Sequence, residues 1–243
     1  MDRVIYIAMT GAKQATLQHA AVANNLANVS THGFKAEHNV FRALPVVGEG
    51  AKTRAFVAAT TPGTDLSPGG IQQTGRELDV AVRGAGWIAV QTPDGTEAYT
   101  RAGQLQIGPN GQLQTAIGLN VLGDGGPIAV PPDQEIAIGK DGTVSTILPG
   151  QPAVAGAGRI KLVNPPAAEL VRGEDGLFRL KSGQPAPADA AVTLVTGALE
   201  MSNVNPAKTL VDMIELARQF EMQLRVLRSA EENDRSATKV LAS

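Results

Sequence analysis

The chain has 243 residues, a formal net charge of −2, no cysteine and 3% aromatic residues. That length allows one or two domains with proper cores, while the charge gives no field that would gather nucleic acid or an anionic membrane. The scattered rings offer no stacking platform for single-stranded nucleic acid, and the lack of cysteine removes disulfides, thiolate catalysis and Cys-ligated metal sites.

The first element is a helix expected over roughly residues 3–31, with Asp2 as its N-cap. Met1 to Met9 lacks the long apolar stretch of a cleaved signal peptide. Ile5, Ala8, Ala12, Ala15, His19, Val22, Leu26 and Val29 recur at alternating spacings of three and four, a heptad-like apolar seam. Ala20, Ala21, Ala23 and Ala27 add small side chains on other faces, which permits close approach of a neighbouring helix. Gly33 is expected at the left-handed position after the helix, with Phe34 folding back as the apolar residue that follows it.

Residues 43–75, punctuated by Pro62, Gly63, Pro68, Gly69 and Gly70, read as an extended connector. Residues 76–197 read as a β-domain, with Leu78–Val82 and Trp87–Val90 as the clearest strands. Pro93-Asp94-Gly95, Asn110-Gly111, Asp124-Gly125, Asp141-Gly142 and Asp175-Gly176 mark tight hairpin turns, because these residues tolerate positive φ. The Pro/Gly-rich stretch 149–158 is expected to loop across the β-domain surface.

A second long helix follows over roughly 206–241, with Asn205 as N-cap and Pro206 in the first helical position. At ~1.5 Å per residue it reaches about 50 Å. Leu210, Met213, Ala217, Phe220, Leu224 and Leu227 make its seam; Val211, Ile214, Met222 and Val226 form a second apolar line beside it. Apolar residues on more than one face cannot all be buried by one partner helix, and leftover apolar surface marks an interaction site. No apolar run reaches the ~18–20 residues that span a bilayer. The expected fold class is therefore α+β: long terminal helices (1–42 and 198–243) paired in a coiled-coil-like layer, and a central all-β domain. From the residues alone, an ordinary α+β protein whose helices cover its own sheet stands as an equal alternative.

Catalytic chemistry finds little to work with. His19 falls on the N-terminal seam, and His32 and His38, flanking Glu37, fit no zinc spacing. Gly84-Ala85-Gly86-Trp87-Ile88-Ala89 imitates a dinucleotide fingerprint but leads into a strand and a turn, so it reads as a bend between strands. Asn28-Val29-Ser30 matches a glycosylation sequon on a seam-bearing helix end and is set aside. No nucleophile, base and oxyanion site converge, so no enzyme, metal or cofactor is expected.

Three segments together resemble the flagellar rod and hook family. The first runs from Ala23-Asn24-Asn25-Leu26-Ala27-Asn28 through Val29-Ser30-Thr31-His32 to Gly33-Phe34-Lys35. The second is Thr74 to Trp87, with Ala98-Tyr99-Thr100-Arg101-Ala102-Gly103 and Asn110-Gly111-Gln112-Leu113. The third is Leu199-Glu200-Met201-Ser202-Asn203-Val204-Asn205-Pro206, with Ala217-Arg218-Gln219-Phe220-Glu221-Met222-Gln223 further on. The Phe-Glu form of that last run, Glu231-Glu232-Asn233, and Arg42-Ala43-Leu44-Pro45-Val46 point to the proximal-rod branch over the distal rod.

The resemblance implies a structural subunit that leaves the cell through the flagellar type III export apparatus without cleavage. Beyond the inner membrane it would assemble helically, in the periplasmic part of the basal body, into a hollow torque-transmitting shaft. The implied partners are further copies, other proximal-rod subunits and the distal rod, with no nucleic acid and no membrane span. The expected assembly interface comprises Ile5, Ala12, Val22, Asn24, Asn25, Leu26, Asn28, Gly33 and Phe34 at the N-terminal end, and Leu210, Met213, Ala217, Phe220, Leu224 and Leu227 on the C-terminal helix. The asparagines would supply register-fixing amides between subunits. Another hook-like axial protein, or a secreted adhesin, are the competing readings; an adhesin has no need of matched seams at both ends.

Overall fold

A computed structural model describes residues 4–38, 41–45, 55–59, 63–131, 134–147 and 154–241. The expected N-cap Asp2, parts of the 43–75 connector and the start of the 149–158 stretch lie outside these residues. The chain divides into two compact units, one of residues 1–29, 36–65 and 204–243, the other of 30–35 and 66–203. These bounds differ from those drawn on the sequence, since residues 30–35 and 66–75 belong with the β-rich unit.

The first unit holds helix α1 (Val4–Ala27), short strands β1 (Glu37–His38), β2 (Phe41–Pro45), β3 (Ala55–Ala59) and β4 (Gly63–Thr64), and helix α2 (Pro206–Leu241). β2 and β3 form an antiparallel hairpin, and β1 pairs with β4. Residues 43–75 are thus not a plain connector. α2 starts as expected: the Asn205 Oδ1 accepts the Lys208 N–H at 3.1 Å, capping the first turn, and Pro206 needs no donor there. α1 ends at Ala27, earlier than expected, so Gly33 is not its C′ residue.

The two helices pack on one another. On α1 the well-covered positions are Ala8, Gly11, Ala15, Gln18, Val22 and Asn25; on α2 they are Thr209, Met213, Leu216, Gln223, Leu227 and Ala230. Both sets keep heptad-like spacing and share Ala8, Ala15, Val22, Met213 and Leu227 with the seam read in the sequence, of which Ala12, Leu26 and Leu224 are half-buried as well. His19, Leu210 and Ala217 are exposed, whereas Gly11, Gln18, Leu216 and Gln223 occupy the contact face. The approach is close: a Cβ at Gly11 would lie 3.0 Å from the Gln223 side chain.

The second unit is built of β5 (Ile71–Gln73), β6 (Val80–Arg83), β7 (Trp87–Gln91), β8 (Glu97–Thr100), β9 (Leu105–Ile107), β10 (Leu113–Thr115), β11 (Asn120–Gly123), β12 (Gly126–Pro127), β13 (Glu135–Ile138), β14 (Thr143–Ile147), β15 (Val154–Arg159), β16 (Leu162–Val163), β17 (Leu170–Arg172), β18 (Phe178–Leu180), β19 (Thr193–Thr196) and β20 (Ala198–Glu200). A nine-stranded sheet carries the order β17-β18-β8-β7-β11-β10-β9, with β12 on β11 and β16 on β7. β13-β14-β15 form a second sheet, while β19 pairs with β6 and β20 with β5. β15 corrects the expected surface loop at 149–158: Ala155 to Arg159 are paired with β14, across a bulge at Val144/Ser145.

Each expected Asp-Gly or Asn-Gly turn joins antiparallel neighbours, with Gly95, Gly111, Gly142 and Gly176 at positive φ. Gly84 and Gly86 also take positive φ, forming the bend between β6 and β7. β7 is buried on both faces. Ile88 and Val90 join Val80, Leu105, Leu113 and Val121 in one core; Trp87 and Ala89 join Tyr99, Val163 and Phe178 in another. In the second core the Trp87 and Phe178 rings lie 4.5 Å apart, tilted by 42°. Burial pushes the Tyr99 hydroxyl up to about 12, and it stays neutral while accepting the Ala186 N–H at 2.7 Å.

Candidate assembly surface and buried ion cluster

On α2, the face opposite the contact with α1 carries Val211, Ile214, Met222 and Val226, all more than two-fifths exposed. These are the residues of the second apolar line in the sequence. Leu210, towards the edge of that face, is also exposed, as is Phe220, which lies in line with Met213 and Leu227. Likewise α1 exposes Tyr6, Met9 and Leu17 on the side away from its Ala8–Ala15 contact row. The α1–α2 contact therefore leaves apolar side chains of both helices exposed, the condition that marks an association surface.

The expected interface residues fall into three groups. Leu210, Ala217 and Phe220 are exposed; Ile5, Ala12, Val22, Asn24, Leu26, Asn28, Met213, Leu224 and Leu227 are half-buried; Asn25 and Phe34 are buried. All three asparagines are engaged within the chain, Asn24 by accepting the Asn28 Nδ2 on its Oδ1 at 3.0 Å. Asn25 donates its Nδ2 to the Glu37 carbonyl and accepts the Glu37 N–H on Oδ1, both at 2.8 Å, so its amide acts as one more strand partner for β1. Asn28 donates to the Asn24 carbonyl at 2.9 Å. Gly33 and Phe34 belong to the β-rich unit. Gly33 sits at φ 71°, and a Cβ there would run into the Arg101 backbone.

Beside Phe34 lies a feature the sequence reading missed. Lys35, Glu200 and Arg101 form a buried ion cluster, with side chains 0%, 1% and 3% exposed. The Lys35 Nζ is 2.6 Å from the Glu200 Oε1 and 2.7 Å from the Ser67 carbonyl. The other carboxylate oxygen takes the Arg101 Nη1 at 2.9 Å, and the Gly69 N–H adds a bond to Oε1 at 2.9 Å. Arg101 also donates to the Gly84 carbonyl at 2.7 Å, with its guanidinium 5.3 Å from the centroid of Trp87. Backbone bonds seal the same place: Gly33 N–H to the Glu200 carbonyl at 2.8 Å, and Met201 N–H to the Gly70 carbonyl at 2.8 Å. Arg172 stands over the Phe34 ring at 4.6 Å and donates to the Lys35 carbonyl at 2.9 Å.

A signal for the cluster existed. Each charge interrupts an apolar or small-residue run: Phe34-Lys35-Ala36, Thr100-Arg101-Ala102-Gly103 and Leu199-Glu200-Met201. Single charges in such settings are paired when buried, but nothing in the linear order says with whom.

The three charges come from the three segments by which this chain matches known families. Residues 5–35 match the flagella basal body rod proteins, 81–146 the D1 domain of the flagellar hook protein FlgE/F/G, and 195–240 the C-terminal part of the flagellar basal body rod FlgEFG proteins. The chain belongs to the flagellar basal-body rod family and is a structural subunit of the basal-body rod.

Within that family, it is 48% identical to the flagellar basal-body rod protein FlgF of Salmonella typhimurium over 100% of this chain and 99% of that protein. The FlgF of Escherichia coli gives the same identity and coverage. FlgG of Buchnera aphidicola subsp. Schizaphis graminum is 32% identical over 94% of this chain and 95% of its own length. These matches support the FlgF side of the family, as the Phe-Glu run in α2 suggested. The relatives are rod proteins, not enzymes. Among the described residues no group of His, Asp and Glu could hold a metal, and no helix is long and apolar enough to cross a membrane.

Proposed function

We propose that the subunit builds the proximal rod, stacking helically with its α1–α2 pair as a coiled-coil-like layer of a hollow, torque-transmitting shaft. The observation that carries this reading is the apolar row Val211, Ile214, Met222 and Val226, exposed on the side of α2 that α1 does not reach. Repeated use of such a surface between copies gives a heterologous, non-closing contact and hence a helical stack. Further copies, other proximal-rod subunits and the distal-rod protein FlgG are the neighbours this surface suits. The Ile5, Ala12, Val22, Asn24, Leu26, Met213, Leu224 and Leu227 positions, only half-buried in the single chain, have area left to lose in the stack.

Delivery by the flagellar type III export apparatus to the periplasmic part of the basal body, without a cleaved signal, completes the proposal. The test is Ile214→Asp, at a position 55% exposed in the lone subunit. The purified protein should melt as the wild type does, because the new carboxylate faces water. Cells carrying it should lack completed rods and fail to spread in soft agar, since stacking would bury an unpaired charge. Normal spreading with normal rods would refute the assignment of this face to subunit contact.

A further inference from the structure

The buried ion cluster carries an inference of its own. Lys35, Arg101 and Glu200 are far apart in the chain, yet all lie in the β-rich unit. Two of the three are cations, and both precede the carboxylate in sequence. Among the described residues, Glu200 is the acidic group that pairs with Arg101. It sits on β20, which among the described residues pairs with β5.

We propose that Glu200 is a closure latch: the β-rich unit acquires its stable form only once β20 delivers this carboxylate between Lys35 and Arg101. Before then the site holds one ammonium and one guanidinium, and the Arg101 guanidinium cannot be buried without a counter-charge. Water must stay in, and the core lined by Trp87, against which Arg101 lies, stays open. Arrival of β20 supplies both carboxylate oxygens, the Glu200 carbonyl for Gly33 and the Met201 N–H for Gly70 in one step. A chain that appears N-terminus first is thereby kept from closing its β-unit until nearly all of it is present. This inference does not depend on how the subunits stack.

The test is hydrogen exchange on the full chain, comparing wild type, Glu200→Gln, and the triple Lys35→Met/Arg101→Met/Glu200→Gln. In Glu200→Gln, amides of the distant strands β7, β8 and β11 should lose protection together with those of Gly33, Gly69 and Met201, on the order of a hundredfold or more. In the triple variant, with no cations left to compensate, protection of β7, β8 and β11 should return most of the way. Loss confined to Gly33, Gly69 and Met201, with the sheet amides unchanged, would overturn the latch. If Glu200→Gln does not fold at all, the triple variant decides: a folded triple upholds the latch, and an unfolded one overturns it.

Discussion

The two units of this subunit handle apolar and charged residues in opposite ways. The β-rich unit buries most of its large apolar side chains, including Ile88, Val90, Leu113 and Val121 on one side and Trp87 and Tyr99 on the other, and even three charges. The helical unit covers one side of α1 and α2 with small and polar side chains such as Ala8, Gly11, Ala15, Asn25 and Gln223, and turns Val211, Ile214 and Met222 outward. A closed unit optimises its own stability; an open one leaves part of its hydrophobic free energy to be released on association. The same kind of residue should therefore respond differently to mutation in each.

The sharpest form of that contrast is a matched pair of truncations. Leu113→Ala empties a fully buried position in the larger core and should cost about 3 kcal/mol, within the usual cavity range. Ile214→Ala removes a comparable side chain from an exposed position and should change the stability of the lone subunit by less than about 0.5 kcal/mol. Urea denaturation of the purified protein measures both. Equal losses would erase the distinction between closed and open units.

The helical unit is not wholly without internal fastening, and Asn25 locates it. Asn25→Ala removes two hydrogen bonds to the Glu37 backbone and should cost about 2 kcal/mol. Exchange of the Glu37 amide should rise in step. Asn205→Ala removes the cap bonded to Lys208 and should cost about 1 kcal/mol, read as faster exchange in the first turn of α2 alone.

What the sequence disclosed follows from how local each signal is. Hairpin turns such as Asp141-Gly142 and Asp175-Gly176 were legible because the positive φ they need is a property of the residues themselves. The cap at Asn205 and the bend at Gly84–Gly86 were legible for the same reason. The helix contact face was legible in part: an apolar periodicity picks out Met213 and Leu227 but also the exposed Leu210 and Ala217, and gives no weight to the close approach of Gly11 to Gln223. The outward apolar row was visible as surplus, without an indication that it, and not the primary seam, is the open face. β15 was hidden because Gly156 and Gly158 look like loop residues, yet pairing with β14 settles them in a strand. The ion cluster was beyond reach, since Lys35, Arg101 and Glu200 meet only through tertiary closure.

The smallest expected effect tests whether charge matters only where it is buried. Asp175 and Arg179 pair at the β17–β18 turn, with side chains 43% and 34% exposed. The Arg179 guanidinium bonded to Asp175 holds its carboxyl below the ordinary value of 3.8, and the Leu177 N–H adds to this; partial burial opposes them. A depressed folded value means the pair's contribution is fully present above the ordinary carboxylate range and is lost as pH falls through the folded value. Solvent screening limits it to about 0.5 kcal/mol. Asp175→Asn should therefore lower stability by that small amount at about pH 7, and the gap should close as pH falls through the lowered folded value and the wild-type carboxyl is protonated too. The gap should also shrink in high salt. A penalty of several kcal/mol at neutral pH, insensitive to salt, would place this turn with the buried cluster and not with the solvent-facing surface.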